Sequence, residues 1–212
     1  MIPNMRTFSE TLFEQLCSSH GIPCERVATE AVRTPDFAIT LRSVRVICEV
    51  KQIDPNLEDL QEMEDVSSGQ ATGRFVPNRL RARLKNVSGQ LKAASLAGCP
   101  TMLVVYDNTP FKMYTDHFDV AQAMFGAHSV AVSKGSDADP VVSDPFFGGN
   151  RGLTPNHNTA VSALAILDGG PTSERSLRVY HNPYAAVVLS PELLEGLPVV
   201  QRLLPGAATV NL

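Results

Sequence analysis

Two hydrophobic periods alternate along this chain, and their order outlines an α/β protein. From Thr7 to His20 the apolar residues Phe8, Leu12, Phe13 and Leu16 recur at helical spacing and form a face that can pack on a sheet. Thr7 and Glu10 have the spacing of a capping box, and Gly21 with Pro23 ends the helix. Cys24 to Val32 can supply a first strand. Between Thr34 and Gln52 the period changes to two. Phe37, Ile39 and Leu41 alternate with Asp36, Ala38 and Thr40, and Val44, Val46, Cys48 and Val50 alternate with Arg45, Ile47, Glu49 and Lys51. That is the pattern of two half-buried strands, with Arg42-Ser43 left as the turn.

Asp54 to Asp65 is strongly acidic and reads as a solvated helix or loop, followed by an exposed loop from Ser67 to Asn78. The clearest helix comes next: Leu80, Leu84, Val87, Leu91 and Ala94 form a narrow stripe that stops at Gly98, with Pro100 beyond. Thr101 to Tyr106 is a continuous apolar run, as in a buried central strand. In the second half, Asp116 to Phe125 reads as a helix and Ser133 to Asn158 as a long irregular connection. Thr159 to Leu167, Leu177 to Tyr180 and Ala185 to Leu189 read as added strands, and Ser190-Pro191-Glu192 as a helix start. The expectation is a single domain over residues 1–212, with its core at about 7–107 and a C-terminal elaboration at about 108–212.

Composition narrows the class. The chain has 212 residues, 43% of them hydrophobic and 19% charged, which suits one domain with a sizeable core. No secretory signal is evident at the start, and no apolar run is long enough to span a bilayer, so a soluble, cytoplasmic protein without a membrane partner is expected. Cys17, Cys24, Cys48 and Cys99 are scattered, with no CxxC pair and no His at ligand spacing, which indicates neither a zinc site nor a disulfide framework. A GxSxG elbow and a GxxxxGK[ST] loop are both missing, so serine hydrolase and ATPase readings fall away. Asn156-His157-Asn158 lacks the setting that HNH chemistry needs.

A formal charge of −4 weighs against nonspecific coating of nucleic acid but permits a local basic groove. Arg74, Arg79, Arg81, Arg83, Lys85 and Lys92 fall between Val66 and Pro100, a stretch without an acidic residue. On the long helix, Arg79, Arg83, Asn86 and Gln90 lie along one edge of the apolar stripe, and Arg81, Lys85 and Lys92 along the other. Such edges suit contacts to phosphate backbones. They equally suit an ordinary amphipathic helix that balances the acidic segment before it.

The hairpin carries the candidate chemistry. If Leu41 pairs with Val44, the antiparallel register sets Asp36 opposite Glu49, with Lys51 two residues further along the same face. Opposed side chains have Cβ atoms about 4.5–5.5 Å apart, and like charges there are destabilising unless neutralised. Mg²⁺ would neutralise them, since it takes one or two carboxylates and keeps its other positions for water and phosphate oxygens. Lys51 can hold or activate the attacking water, or offset charge building on the phosphate.

Pro35-Asp36 followed by Glu49-Val50-Lys51 resembles the signature of the PD-(D/E)xK nuclease superfamily. Over the first half of the chain the order helix, three strands, helix, strand is similar too. The resemblance implies a restriction-endonuclease-like αβββαβ core: an α/β fold with a mixed central sheet flanked by helices, here with additional C-terminal strands. It implies a Mg²⁺-dependent nuclease, Mn²⁺ being able to substitute, in which Asp36 and Glu49 bind the cation and Lys51 serves the nucleophile. By the same resemblance Glu14 on the first helix would reach toward the metal, and Gln90, in Ser88-x-Gln90-Leu91-Lys92, would join the site. The partner would be nucleic acid, DNA before RNA, gripped through Arg79, Arg81, Arg83, Lys85 and Lys92, and a symmetric homodimer would suit the cutting of two strands. Two rivals stand beside it. One is a catalytically inactive nuclease-fold module that binds nucleic acid or a protein; the other is a plain surface cluster in which Lys51 neutralises both carboxylates.

Overall fold

A computed structural model describes residues 6–28, 34–73, 78–135 and 139–203. Arg74, the end of the expected first strand and the side chain of Ser88 lie outside the described residues. Helix α1, Phe8–Ser19, starts where the Thr7 side chain accepts a hydrogen bond from the Glu10 backbone N–H at 3.3 Å. The reciprocal half of the capping box does not form, because the Glu10 carboxylate turns to Arg26. Leu12, Phe13, Leu16 and Cys17 are buried on one side of this helix.

Strand β1, Cys24–Arg26, pairs antiparallel with β2, Phe37–Leu41, which turns back into β3, Val44–Ile53. The turn is Arg42-Ser43, with φ of 45° and 76°. Two consecutive left-handed residues give the hairpin geometry whose twist matches the flanking strands. The register runs from Phe37↔Cys48 to Leu41↔Val44, as the alternation requires.

Helix α2, Leu57–Ser67, is the acidic segment, and its acids face solvent with one exception. Asp59 closes a capping box with Asn56, yet it is also buried and accepts hydrogen bonds from the Tyr114 hydroxyl at 2.6 Å and from Arg79 at 3.0 Å. Helix α3, Arg79–Leu96, buries Leu80, Leu84, Val87 and Leu91, and gives way to Gly98 at φ 80°. Strand β4, Thr101–Asp107, is buried along its whole length. Helix α4, His117–Phe125, is capped by Asp116.

The irregular connection holds two short ribbons, β5 (His128–Ser129) with β8 (Phe146–Phe147) and β6 (Val132–Ser133) with β7 (Val141–Val142). Strands β9, Ala163–Asp168, and β10, Ser176–His181, follow, then a 3-10 turn at Pro191–Leu194 and strand β11, Val199–Arg202. The main sheet has seven strands in the order β1-β2-β3-β4-β9-β10-β11. It is mixed: β4 runs parallel to both β3 and β9, and β10 runs antiparallel to β9 and parallel to β11.

Each face of the sheet has its own core. On one, α1 lays Leu12, Phe13 and Leu16 against Phe37, Ile39, Val46, Cys48 and Val50. On the other, α3 and α4 cover Ile47, Leu103, Val105, Leu164 and Ile166. Ala185 to Leu189, read above as a strand, is irregular: the Ala185 N–H bonds to the Asn182 carbonyl and the Ala186 N–H to that of Thr159. No helix among the described residues is long and apolar enough to cross a membrane.

Asp59 joins α2 to α3 and to Tyr114, so its loss removes the carboxylate that the half-buried Arg79 and the buried Tyr114 hydroxyl share. Asp59→Ala is expected to lower unfolding stability by about 3 kcal/mol, read as a lower denaturant midpoint at unchanged m-value.

Candidate active site

Alternation along β3 divides its side chains between the two faces. Val46, Cys48 and Val50 enter the core under α1, which leaves Ile47, Glu49, Lys51 and Ile53 on the face covered by α3. On β2 the same rule puts Ala38 on the α3 face. Continuing the register by one residue sets Asp36 opposite Glu49, where the sequence expected it. The Asp36 side chain accepts the Val50 backbone N–H at 2.8 Å, which fixes that carboxylate at the strand end.

Glu49 is fully buried, with a side-chain exposure of 0% against 29% for Lys51. One of its oxygens, Oε1, accepts hydrogen bonds from the Lys51 ammonium and, at 2.6 Å, from the Gln90 side-chain amide. The other, Oε2, is buried with no hydrogen-bond partner among the described residues. Gln90 reaches the site because it sits beside Val87 and Leu91 on the sheet-facing side of α3. Asp36, Glu49, Lys51 and Gln90 are therefore one cluster.

Glu14, in contrast, pairs with Arg6 at 2.8 Å on the outer part of α1 and does not join the cluster. The first-helix acid whose charge Asp36 feels is Glu10, one turn earlier, itself buried and paired with Arg26. This is a residue the sequence reading passed over. Its signal was present, since Glu10 and Glu14 share one helix edge at i, i+4 spacing.

Electrostatics mark the pair of carboxylates as unsettled. Burial pushes the Glu49 carboxyl up to about 7, the nearby Asp36 charge adds to the rise, and the hydrogen bonds from Lys51 and Gln90 oppose it. Asp36 is also raised, chiefly by burial and further by Glu10, against the pull of the Val50 N–H, Lys51 and Arg26. Neither carboxylate is fully compensated by what surrounds it.

The residues fit a divalent cation at this place. Two carboxylates converge, and the unpartnered Oε2 of Glu49 is the kind of buried acceptor a cation would satisfy. Among the described residues no group of three or more His, Cys, Asp or Glu could hold a metal, so a cation here would take two protein carboxylates and fill its shell with water and phosphate oxygens.

The expected basic grip on nucleic acid divides. Arg79 is occupied, donating to Asp59 and, at 2.6 Å, to the Asp54 carbonyl while lying 4.8 Å from the centre of the Tyr114 ring. Arg81 donates to the Gln122 carbonyl on α4, at 3.1 Å. Lys85 and Lys92 are exposed along the edge that carries Arg81, away from Gln90. Arg83 shares the Gln90 edge with Arg79 and, unlike Arg79, makes no ion pair or hydrogen bond among the described residues.

No family model matches the chain, and no curated protein matches it. Among solved structures it is similar to SfsA of Pyrococcus furiosus in complex with Ca²⁺, at 12% identity over 66% of this chain and 61% of that one, with a TM-score of 0.26. The chain thus spans less than two thirds of that protein, and a likeness of this size carries nothing about fold or activity to the present chain.

A carboxyl raised in the folded state binds its proton more tightly there than in the unfolded chain. Stability is then greatest below the unfolded value and is lost as pH rises through the folded one. In EDTA, the unfolding free energy is expected to fall between about pH 5 and about pH 8, lowering the melting temperature, and Glu49→Gln to reduce that fall by an amount on the order of 2 kcal/mol. A Mg²⁺ ion held by these carboxylates would compete with the proton, so stabilisation of the wild type by Mg²⁺ should be larger at the alkaline end. Melting curves over this range, with and without Mg²⁺, check both signs.

Proposed function

We propose that this protein is a metal-dependent nuclease of the PD-(D/E)xK kind, hydrolysing phosphodiester bonds in nucleic acid, DNA before RNA. The observation that carries the reading is Glu49: a fully buried carboxylate opposite Asp36, with one oxygen held by Lys51 and Gln90 and the other unpartnered. A carboxylate kept only for stability would be expected to find a full set of partners. The element order α1-β1-β2-β3-α2-α3-β4, which is an αβββαβ order with α2 inserted after β3, supports the restriction-endonuclease-like core together with the hairpin register and the mixed sheet.

Asp36 and Glu49 would hold Mg²⁺, or Mn²⁺ in its place, and the bound cation supplies Lewis-acid polarisation of the phosphoryl group and a more acidic water. Gln90 orients Glu49 by holding Oε1, so that Oε2 faces away from the amide. The Val50 N–H does the same for Asp36. Lys51, partly exposed beside Glu49, is the one cation of the cluster that solvent and substrate can reach. Its ammonium can hold the attacking water or offset the negative charge that grows on the phosphoryl oxygens.

Cleavage of a mixed panel of DNA and RNA, in Mg²⁺, Mn²⁺ and EDTA, tests this reading. Metal-dependent cutting is expected, with Asp36→Ala and Lys51→Ala each lowering the rate by roughly a thousandfold or more, and Gln90→Ala by about 10- to 100-fold. If the wild type cuts nothing, or the Asp36 and Lys51 variants cut as well as it does, the catalytic reading fails and a binding module on the same scaffold takes its place.

A further inference from the structure

At the same sheet end, two exposed aromatic rings that the cluster does not use, Phe8 at the start of α1 and Phe111 after β4, flank the buried Tyr106. Tyr106 pairs with Gln52 in the parallel register, one residue past Lys51. The Gln52 side chain accepts the Ser9 backbone N–H at 2.9 Å, which ties the first turn of α1 to this end of β3. Phe8, one residue earlier, stands edge-on to the Tyr106 ring at 5.7 Å and remains 38% exposed. Lys112 places its ammonium 4.4 Å from the centre of the same ring, and Phe111 beside it is 43% exposed. Lys112 sits at φ 50° and donates to the Asp107 carbonyl at 2.7 Å, so the charge is held in place over the ring.

Among the described residues, free cations are scarce at this end of the sheet. Of the five basic residues expected on α3, Arg79 and Arg81 are engaged and Lys85 and Lys92 lie on the far edge. A duplex held by its backbone needs many phosphate contacts. Few cations beside two exposed rings suit a different ligand, an unpaired stretch whose bases stack while only a few phosphates are neutralised.

We propose that Phe8 and Phe111 form a base-stacking platform for single-stranded nucleic acid, whose unpaired end passes over the ends of β3 and β4 to Asp36 and Glu49, with Lys112 on the α1 side and Arg83 on the α3 side taking its phosphates. This rests on the nuclease reading for its purpose, but binding tests it separately from cutting.

The experiment measures fluorescence anisotropy of a labelled oligothymidylate, of its abasic counterpart and of a labelled hairpin duplex, all with the Lys51→Ala protein so that no probe is cleaved. The oligothymidylate is expected to bind more tightly than the duplex, and the abasic strand at least roughly tenfold more weakly than the oligothymidylate. Adding Phe8→Ala or Phe111→Ala should weaken binding of the oligothymidylate by roughly 5- to 100-fold while leaving the abasic strand unchanged. Phe8→Tyr should restore it, and Phe8→Leu, which keeps an apolar contact on Tyr106, should not. The slope of log affinity against log salt should be shallow, about −1.5 to −2 for two or three phosphates on a single strand. The platform is overturned if the duplex or the abasic strand binds as tightly as the oligothymidylate, or if Phe8→Leu and Phe111→Ala both leave its affinity within about twofold. Tight, stacking-dependent binding by a wild-type protein that cuts nothing would retain the platform and remove the nuclease.

Discussion

A carboxylate buried beside another carboxylate is the constraint on which the rest of the structure turns. Glu49 has no exposure to water, Asp36 faces it across the hairpin, and the surrounding protein offsets only part of the cost. Such an arrangement persists only where the fold over-determines it. Here the over-determination is visible. β3 cannot slip, because Val46, Cys48 and Val50 are locked under α1. Nor can α3 move away, because Leu80, Leu84, Val87 and Leu91 fix it on the opposite face and bring Gln90 down onto Glu49. The two cores act as clamps on the two sides of one strand.

That division of labour explains how much of the site was legible in the sequence. The hairpin and its register followed from period-two alternation around a two-residue turn, and the structure pairs the same residues. Gln90 came from the resemblance, and its place beside the stripe of α3 brings it within reach of Glu49. Both depend on spacing within one element or between adjacent ones, which is what a sequence displays. Thr101 to Tyr106 was legible for a related reason, since a central strand covered on both faces has no polar side to show.

What escaped depends on partners remote in sequence. Glu10 and Glu14 share a helix edge, and only the position of Arg26 on β1 draws Glu10 into the protein while Glu14 stays with Arg6. Asp59 sits in a run of acids that otherwise faces solvent. The sequence gives no sign that Tyr114 and Arg79, many residues later, would close over it. The same contact takes Arg79 out of the set available to nucleic acid. Apolar content also misled at Ala185 to Leu189, whose backbone bonds locally to Asn182 and to Thr159 instead of joining the sheet, while the shorter Val199–Arg202 takes the edge beside β10.

The Arg42-Ser43 turn lies at the opposite end of the hairpin from Asp36, yet it sets the reading frame of the whole device. Side chains on β2 change face at every residue, so one residue inserted into or removed from this turn would act on the strand as a frameshift acts on a gene. Either Phe37, Ile39 and Leu41 would leave their core, or the strand would slide until Asp36 no longer met Glu49. Most surface loops drift freely in length over evolutionary time. This one is bound to two residues by chemistry at the far end of its strands, and lineages that keep the paired carboxylates should keep its length while its residue types wander.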